Sequence, residues 1–208
     1  MRNNTCAIRS KRQSGFTLVE IAIVLVIIGL ILGGVLKGQV LIENAKYKNF
    51  VKQVESLRAG VYTFQDMYRA LPGDIDVITA LDAAATAGDG DGVIDDAECD
   101  NDDDESCLVW SHLRYADIIA GDPTLTGSTA PPTHTYGGKV SAIATGSWAN
   151  GKTEIKILTQ GIPGDVAQRY DNEFDDGDAT SGSVARYEPG EASTTYDITK
   201  SHSVYISL

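Results

Sequence analysis

Six prolines, four phenylalanines and three cysteines are all that 208 residues supply of those types. The first proline is Pro72, so nothing before it forbids one unbroken helix. Basic side chains are scarce as well. Seventeen Lys and Arg face 29 Asp and Glu, for a formal charge of -12. No broad basic surface can be built from them, which argues against a nucleic-acid partner, because phosphate attraction needs grouped Lys and Arg. Catalytic motifs are missing too. His112, His134 and His202 lack metal-ligand spacing, and no G-x-S-x-G elbow, Walker loop or H-E-x-x-H occurs. No enzymatic activity is expected. His112, beside Trp110, reads as a helix residue packed at the domain edge. The nine tyrosines and two tryptophans read as core and subunit contacts.

What is present is concentrated at one end. Residues 1–15 carry Arg2, Arg9, Lys11 and Arg12 and no acid, whereas residues 16–36 hold a single charge, Glu20. The apolar run FTLVEIAIVLVIIGLILGGVL is long enough, at about 1.5 Å per residue, to span the roughly 30 Å hydrocarbon layer of a bilayer. It is longer than the apolar core of a secretory signal, and no A-x-A pattern follows it. Basic sequence before the span and acidic sequence after it place the N-terminus in the cytoplasm and the bulk outside. A carboxylate inside such a run costs about 2.5–3.5 kcal/mol on insertion scales, so Glu20 is expected to have a task or a partner.

Its setting is Lys11-Arg12-Gln13-Ser14-Gly15 followed by Phe16-Thr17-Leu18-Val19-Glu20. That string resembles the signal of type IV prepilins and of the pseudopilins of type II secretion, over residues 1 to about 40. The family pattern is a short basic leader ending in Gly, then Phe-Thr-Leu-hydrophobic-Glu and an apolar run. The resemblance implies that a membrane prepilin peptidase cuts between Gly15 and Phe16 and N-methylates Phe16. It makes Glu20 the assembly residue, able to neutralise the N-terminal amine of a neighbouring subunit. Two groups that are costly to bury singly become tolerable as a pair.

Cleavage there would remove Cys6 and leave Cys99 and Cys107 in an oxidising compartment. A disulfide between them would close a short loop over residues 100–106. Two free thiols or a metal site are the alternatives, and neither a C-x-x-C pair nor suitable His spacing supports zinc.

Beyond Lys37 the pattern changes. Tyr47, Phe50, Val51, Val54, Leu57, Val61, Phe64 and Tyr68 recur at steps of three and four between charged residues, the signature of an amphipathic helix. One helix is therefore expected from Phe16 to about Ala70, roughly 80 Å long, stopped by Pro72-Gly73. The absence of a proline soon after the apolar run leans towards a pseudopilin or minor subunit. A short helix is expected over residues 108–120 and a Thr-, Pro- and Gly-rich connector over 121–138. Strands are expected over 140–145, 154–159, 184–187 and 204–208, with Asn150-Gly151 suggesting a hairpin turn. The fold class is α+β and pilin-like: a long N-terminal helix, transmembrane in its first half, packed on a small antiparallel sheet. The domains follow as a leader over 1–15, the transmembrane half of the helix over 16–37 and an outer globular domain over 38–208. The strings Leu71-Pro72-Gly73-Asp74, Gly90-Asp91-Gly92-Val93-Ile94, Trp110-Ser111-His112-Leu113 and Asp175-Asp176-Gly177 resemble a subset of pilin-like proteins. The DPWGxPY-type string of the major pseudopilin is absent.

Thirteen acids and no Lys or Arg lie between Arg69 and Arg114, ten of them from Asp89 to Glu105. Such a run is expected to stay out of the core as a solvated or cation-binding loop. Residues 87–98 can be laid on an EF-hand loop, but Ala87 stands where the first acid belongs. Calcium is the one ligand these loops suit. Asp89, Asp91, Asp95 and Glu98 form the first candidate set and Asp171, Asp175, Asp176 and Asp178 the second. The expected function is a structural subunit of a type IV pilus or type II secretion pseudopilus, cleaved by prepilin peptidase and polymerised through its N-terminal helix. The resemblance implies sibling subunits, an inner-membrane platform protein and an assembly ATPase as partners. It implies the bacterial inner membrane before assembly and the pilus or periplasmic pseudopilus afterwards. The alternative is a periplasmic calcium-binding or catalytic domain on a single N-terminal anchor.

Overall fold

The computed structural model describes residues 15–95, 99–147, 153–187 and 193–208. The chain forms two compact units, one ending at Asn44 and one running from Ala45 to Leu208. Helix α1, Leu18–Tyr68, belongs to both. In the first unit its apolar side chains are exposed, from Leu18 (91%) to Ile42 (59%). By length and composition this part can cross a membrane. In the second unit Tyr47, Phe50, Val54, Leu57, Val61 and Phe64 are buried along one stripe. Arg69 ends the helix in the left-handed region (φ 58°), its N–H still donating to the Gln65 carbonyl at 2.9 Å. The stop thus precedes Pro72-Gly73, because the chain turns at Arg69 before the proline is reached.

The second unit is built on a four-stranded antiparallel sheet of order β1-β2-β4-β3, from β1 (Val140–Ser147), β2 (Thr153–Pro163), β3 (Val184–Arg186) and β4 (Ser201–Ser207). Side-chain alternation sorts the two faces. Ile143, Ile157, Val184, Val204 and Ile206 join the core of the α1 stripe, while Leu158, Ala185 and Tyr205 form a smaller cluster. The register of β2 shifts between Thr159 and Ile162, where Gly161 takes a positive φ of 77°. The four expected strands are present; the expected hairpin turn at Asn150-Gly151 lies outside the described residues.

Two helical expectations need correction. Helix α2 spans Glu105–Tyr115, not 108–120. Glu105 in its first turn complements the helix dipole, and Asp117, in the left-handed region at φ 56°, ends it early. Helix α3, Gly164–Phe174, was not expected at all. It follows Pro163 and buries Val166, Ala167 and Tyr170, a spacing that fits one helical face.

The acid-rich run also departs from expectation, because parts of it enter the core. Ile94 is fully buried (0%), Glu105 is 7% exposed, and the backbone of Ile94 exchanges hydrogen bonds with Thr145 on the rim of β1. Burying Ile94 fixes the middle of the run, while Asp89, Asp91, Asp95 and Asp100 on either side stay exposed. His112 is likewise interior at 0% exposure and not at an edge.

Candidate functional site: the helix N-terminus and the acid-lined loops

Gly15 and Phe16 precede α1 outside any regular element, and Phe16 is 83% exposed. The Gly15–Phe16 bond therefore sits in irregular chain immediately ahead of the helix. Thr17 caps that helix. Its Oγ1 accepts from the Glu20 N–H at 3.2 Å, while its own N–H and hydroxyl both donate to Glu20 Oε2 at 2.8 Å. This is a reciprocal capping box, satisfying two donors that a helix start otherwise leaves open. The sequence carries the signal, Thr-x-x-Glu, which the reading of Glu20 as an intramembrane charge and assembly residue left unused. Glu20 thus has a partner within its own chain.

The second region lies where α1 ends. Asp74, 4% exposed, accepts from the Gly92 N–H at 3.2 Å, and Glu105 accepts from the N–H groups of Asp89 and Asp95, both at 3.0 Å. Burial, with Asp89 and Asp91 nearby, pushes the Asp74 carboxyl above its ordinary range, and burial does the same to Glu105. Ligand oxygens of Asp74, Asp89 and Asp91 all lie within 4.8 Å of one another. Asp89 and Asp91 are brought together as the sequence suggested. Asp95 is not in that group and Glu98 lies outside the described residues. Asp74 was missed as a ligand because it is remote in sequence; the Leu71-Pro72-Gly73-Asp74 string was its only signal. A true EF-hand is not formed, since the third carboxylate comes from the chain after α1 and not from the loop itself.

The third region joins the last turn of α3 to the chain that follows it. Asp171, Asp175 and Asp176 also bring ligand oxygens within 4.8 Å of one another, while Asp178 instead accepts from the Thr180 N–H and hydroxyl. Asp171 is fully buried; it accepts from Gly177 N–H at 2.8 Å and the Tyr196 hydroxyl at 3.0 Å, and burial lifts its carboxyl to about 6. Hard carboxylate oxygens in irregular loops form a donor set that suits calcium. Among the described residues, neither group includes a histidine or cysteine.

The histidines are spread apart, each held by backbone. His112 Nδ1 accepts from the Gly73 N–H at 2.8 Å and its Nε2 meets the Thr86 carbonyl at 2.7 Å. His134 Nε2 meets the Gln160 carbonyl and His202 Nε2 the Asp197 carbonyl. Cys99 and Cys107 are joined in a disulfide with Cα atoms 4.9 Å apart, which closes the acid run against the start of α2.

Comparison with known proteins reaches the first region alone. The family model for the prokaryotic N-terminal methylation motif matches residues 10–36. That motif is the prepilin-type cleavage and methylation signal, and it implies processing by prepilin peptidase. No curated protein and no solved structure gives a match.

Proposed function

We propose that this chain is a structural subunit of a type IV pilus or a type II secretion pseudopilus. One observation carries the reading: the prepilin signal of residues 10–36 runs directly into an apolar helix whose side chains are exposed in the isolated chain. Such a helix needs lipid before assembly and other helices afterwards. In this reading peptidase cuts between Gly15 and Phe16, Phe16 is N-methylated, and Glu20 meets the new amine of a neighbour. The subunit is held in the bacterial inner membrane with its N-terminus inside. A platform protein and an assembly ATPase then move it into the filament beside its siblings.

The test is expression of the full chain beside its processing and assembly machinery. Gly15→Val, which places a branched side chain at the scissile bond, should leave the whole precursor in the membrane. Glu20→Val should be cleaved and inserted yet excluded from sheared filaments. An uncut wild-type chain as the stable membrane form would overturn this reading in favour of a singly anchored domain. A second reading concerns ligands of the outer unit. The gathering of three carboxylates within 4.8 Å, twice over, supports calcium at Asp74, Asp89 and Asp91 and at Asp171, Asp175 and Asp176. Asp95 and Asp178, which stand outside both groups, are not needed for them.

A further inference from the structure

A cleft of about 170 Å³ opens where the disulfide-closed turn, residues 127–131 and the start of the β1–β2 pair meet. Cys99 and Asp100 form one wall and Ser128 and Pro131 a second. Lys139, Ser141 and Gln160 form the third. The chain is tied down on each side. Cys99 is bonded to Cys107, and its sulfur lies 3.1 Å from the Gly127 carbonyl. The Gln160 N–H donates to the Lys139 carbonyl at 2.8 Å, and the Gln160 carbonyl meets His134 Nε2. The Ser141 hydroxyl donates to the Leu158 carbonyl at 3.2 Å. A cleft fixed in this way is formed before any ligand arrives, as small-molecule sites usually are.

Its side chains keep polar groups unused. The exposed Lys139 ammonium donates one N–H to the Ser128 carbonyl at 2.7 Å and retains two more. Asp100 is exposed too, and its carboxylate accepts no hydrogen bond among the described residues. The side-chain amide of half-buried Gln160 is likewise unbonded among them. Lys139 and Asp100 line one cleft yet form no ion pair with each other.

Two opposite charges that share so small a space without closing on each other favour a ligand that carries both. A simple anion would meet Lys139 but also face Asp100, and a simple cation the reverse. A neutral polyol would draw water from both charges and replace it with weaker partners. A free α-amino acid matches each charge. Its carboxylate can accept from the two remaining Lys139 N–H groups, and its ammonium can donate to Asp100 and to the Gln160 amide oxygen. Pro131 and the disulfide supply the apolar surface, enough for a small aliphatic side chain. The volume holds about six waters at roughly 30 Å³ each, and alanine has about that many non-hydrogen atoms. We propose that this cleft binds a free α-amino acid with a small side chain, as the zwitterion, through Lys139 and Asp100. The inference is independent of the filament reading and holds equally for a singly anchored domain.

The test follows saturation transfer by NMR from the full oxidised chain, in detergent, to the methyl group of added L-alanine. Two exposed charges and one amide acting on so small a ligand imply half-saturation at about 1–10 mM. K139Q and D100N should each raise that concentration about fivefold or more, whereas K139R, which keeps the charge, should stay within about twofold. Intact mass showing the Cys99–Cys107 bond, with a melting temperature within about 2 °C of wild type, reports that each variant has folded. A comparison of ligands needs no variant. Acetate and methylammonium, each carrying one of the two charges, should bind at least about tenfold more weakly than alanine at matched ionic strength. Absence of a saturable signal up to about 50 mM alanine would overturn the proposal. So would alanine binding left unchanged by both K139Q and D100N, which would put the ligand elsewhere on the surface. Acetate as tight as alanine would make the cleft an anion site at Lys139, and methylammonium as tight would make it a cation site at Asp100. Either result also sinks the zwitterion.

Discussion

Replacing Cys99 and Cys107 together by alanine tests how the acid run is held. The disulfide joins residues eight apart, with both cysteines buried (6% and 2%). A loop of that size, opened in the unfolded chain, regains conformational entropy worth about 2.5 kcal/mol at 25 °C on the chain-entropy account. Repulsion acts in the same direction. Asp100, Asp102, Asp103, Asp104 and Glu105 all lie within the loop, and the bridge opposes their separation in the folded state. The structure couples the loop to its surroundings through the Cys99 sulfur, 3.1 Å from the Gly127 carbonyl, and through Asp102, which a side chain at Gly127 would strike. The expected loss is therefore about 2–4 kcal/mol, a shift of roughly 1 M in a urea midpoint. Trp110, fully buried three residues after Cys107, is a suitable fluorescence reporter in a Trp148→Phe background. Added salt should recover the repulsive part of the loss and leave the entropic part. A loss below about 1 kcal/mol at low salt would refute the reasoning, since the entropic term alone exceeds it.

Calcium at millimolar concentration should raise the melting temperature of the full chain in detergent more than sodium chloride at matched ionic strength. Sites that each join one buried carboxylate to more accessible ones, without an EF-hand frame, imply dissociation constants of about 10⁻⁴ to 10⁻³ M, stabilising by mass action, and Asp74→Asn or Asp171→Asn should each remove part of the gain. Equal stabilisation by both salts would leave only screening. His112 gives a pH dependence of known sign. Burial lowers its tendency to protonate, so its contribution is present above the unfolded value of about 6.5 and is lost as pH falls below it. His112→Asn, which retains an acceptor for Gly73, should flatten the acid limb of the stability profile below pH about 6.5. His134, also lowered by burial, leaves part of the slope. An unchanged limb in that variant would contradict the assignment of neutral His112 as the Gly73 acceptor.

How much of this was legible depends on the range over which each signal acts. The α1 stripe and the strands were readable because burial on one face leaves a local period, as in Tyr47, Phe50, Val54 and Leu57. The strand ends were longer than expected, Thr153–Pro163 for the residues 154–159, because a register shift at Gly161 lets pairing continue past a glycine. Helix α3 hid behind three acids, Asp165, Asp171 and Glu173, that resembled loop composition. Asp171 is nevertheless buried, since Tyr196 and Gly177 satisfy it from segments remote in sequence. The same cause hid Asp74. Its partners Asp89 and Asp91 are brought close by non-local bonds: the Ile75 and Asp74 carbonyls accept from the Gly88 and Gly90 N–H groups, while His112 holds Gly73. Local pattern found the loops, and non-local contacts chose which carboxylates meet.

Glu20 shows the same division at the other end of the chain. A carboxylate in the apolar run is costly to insert, yet here it accepts from both donors of Thr17, and those bonds favour its charged form. The cap therefore gives the isolated chain an internal partner for that charge. Cleavage after Gly15 would place a positive amine on Phe16, next to Thr17, and a neighbour's amine would offer Glu20 a full opposite charge. If Glu20 leaves its cap for that amine on assembly, the Thr17 hydroxyl stabilises the free subunit more than the filament. Thr17→Val removes that hydroxyl while keeping the side-chain volume close. It should then leave the ratio of filament to membrane chain equal to or above wild type, whereas Glu20→Val lowers the ratio to near zero. The comparison is made on sheared filaments against washed membranes, with cleavage verified by mass in each variant. A fall for Thr17→Val as deep as that for Glu20→Val would mean that the capping box persists in the filament, and the exchange of partners would be refuted.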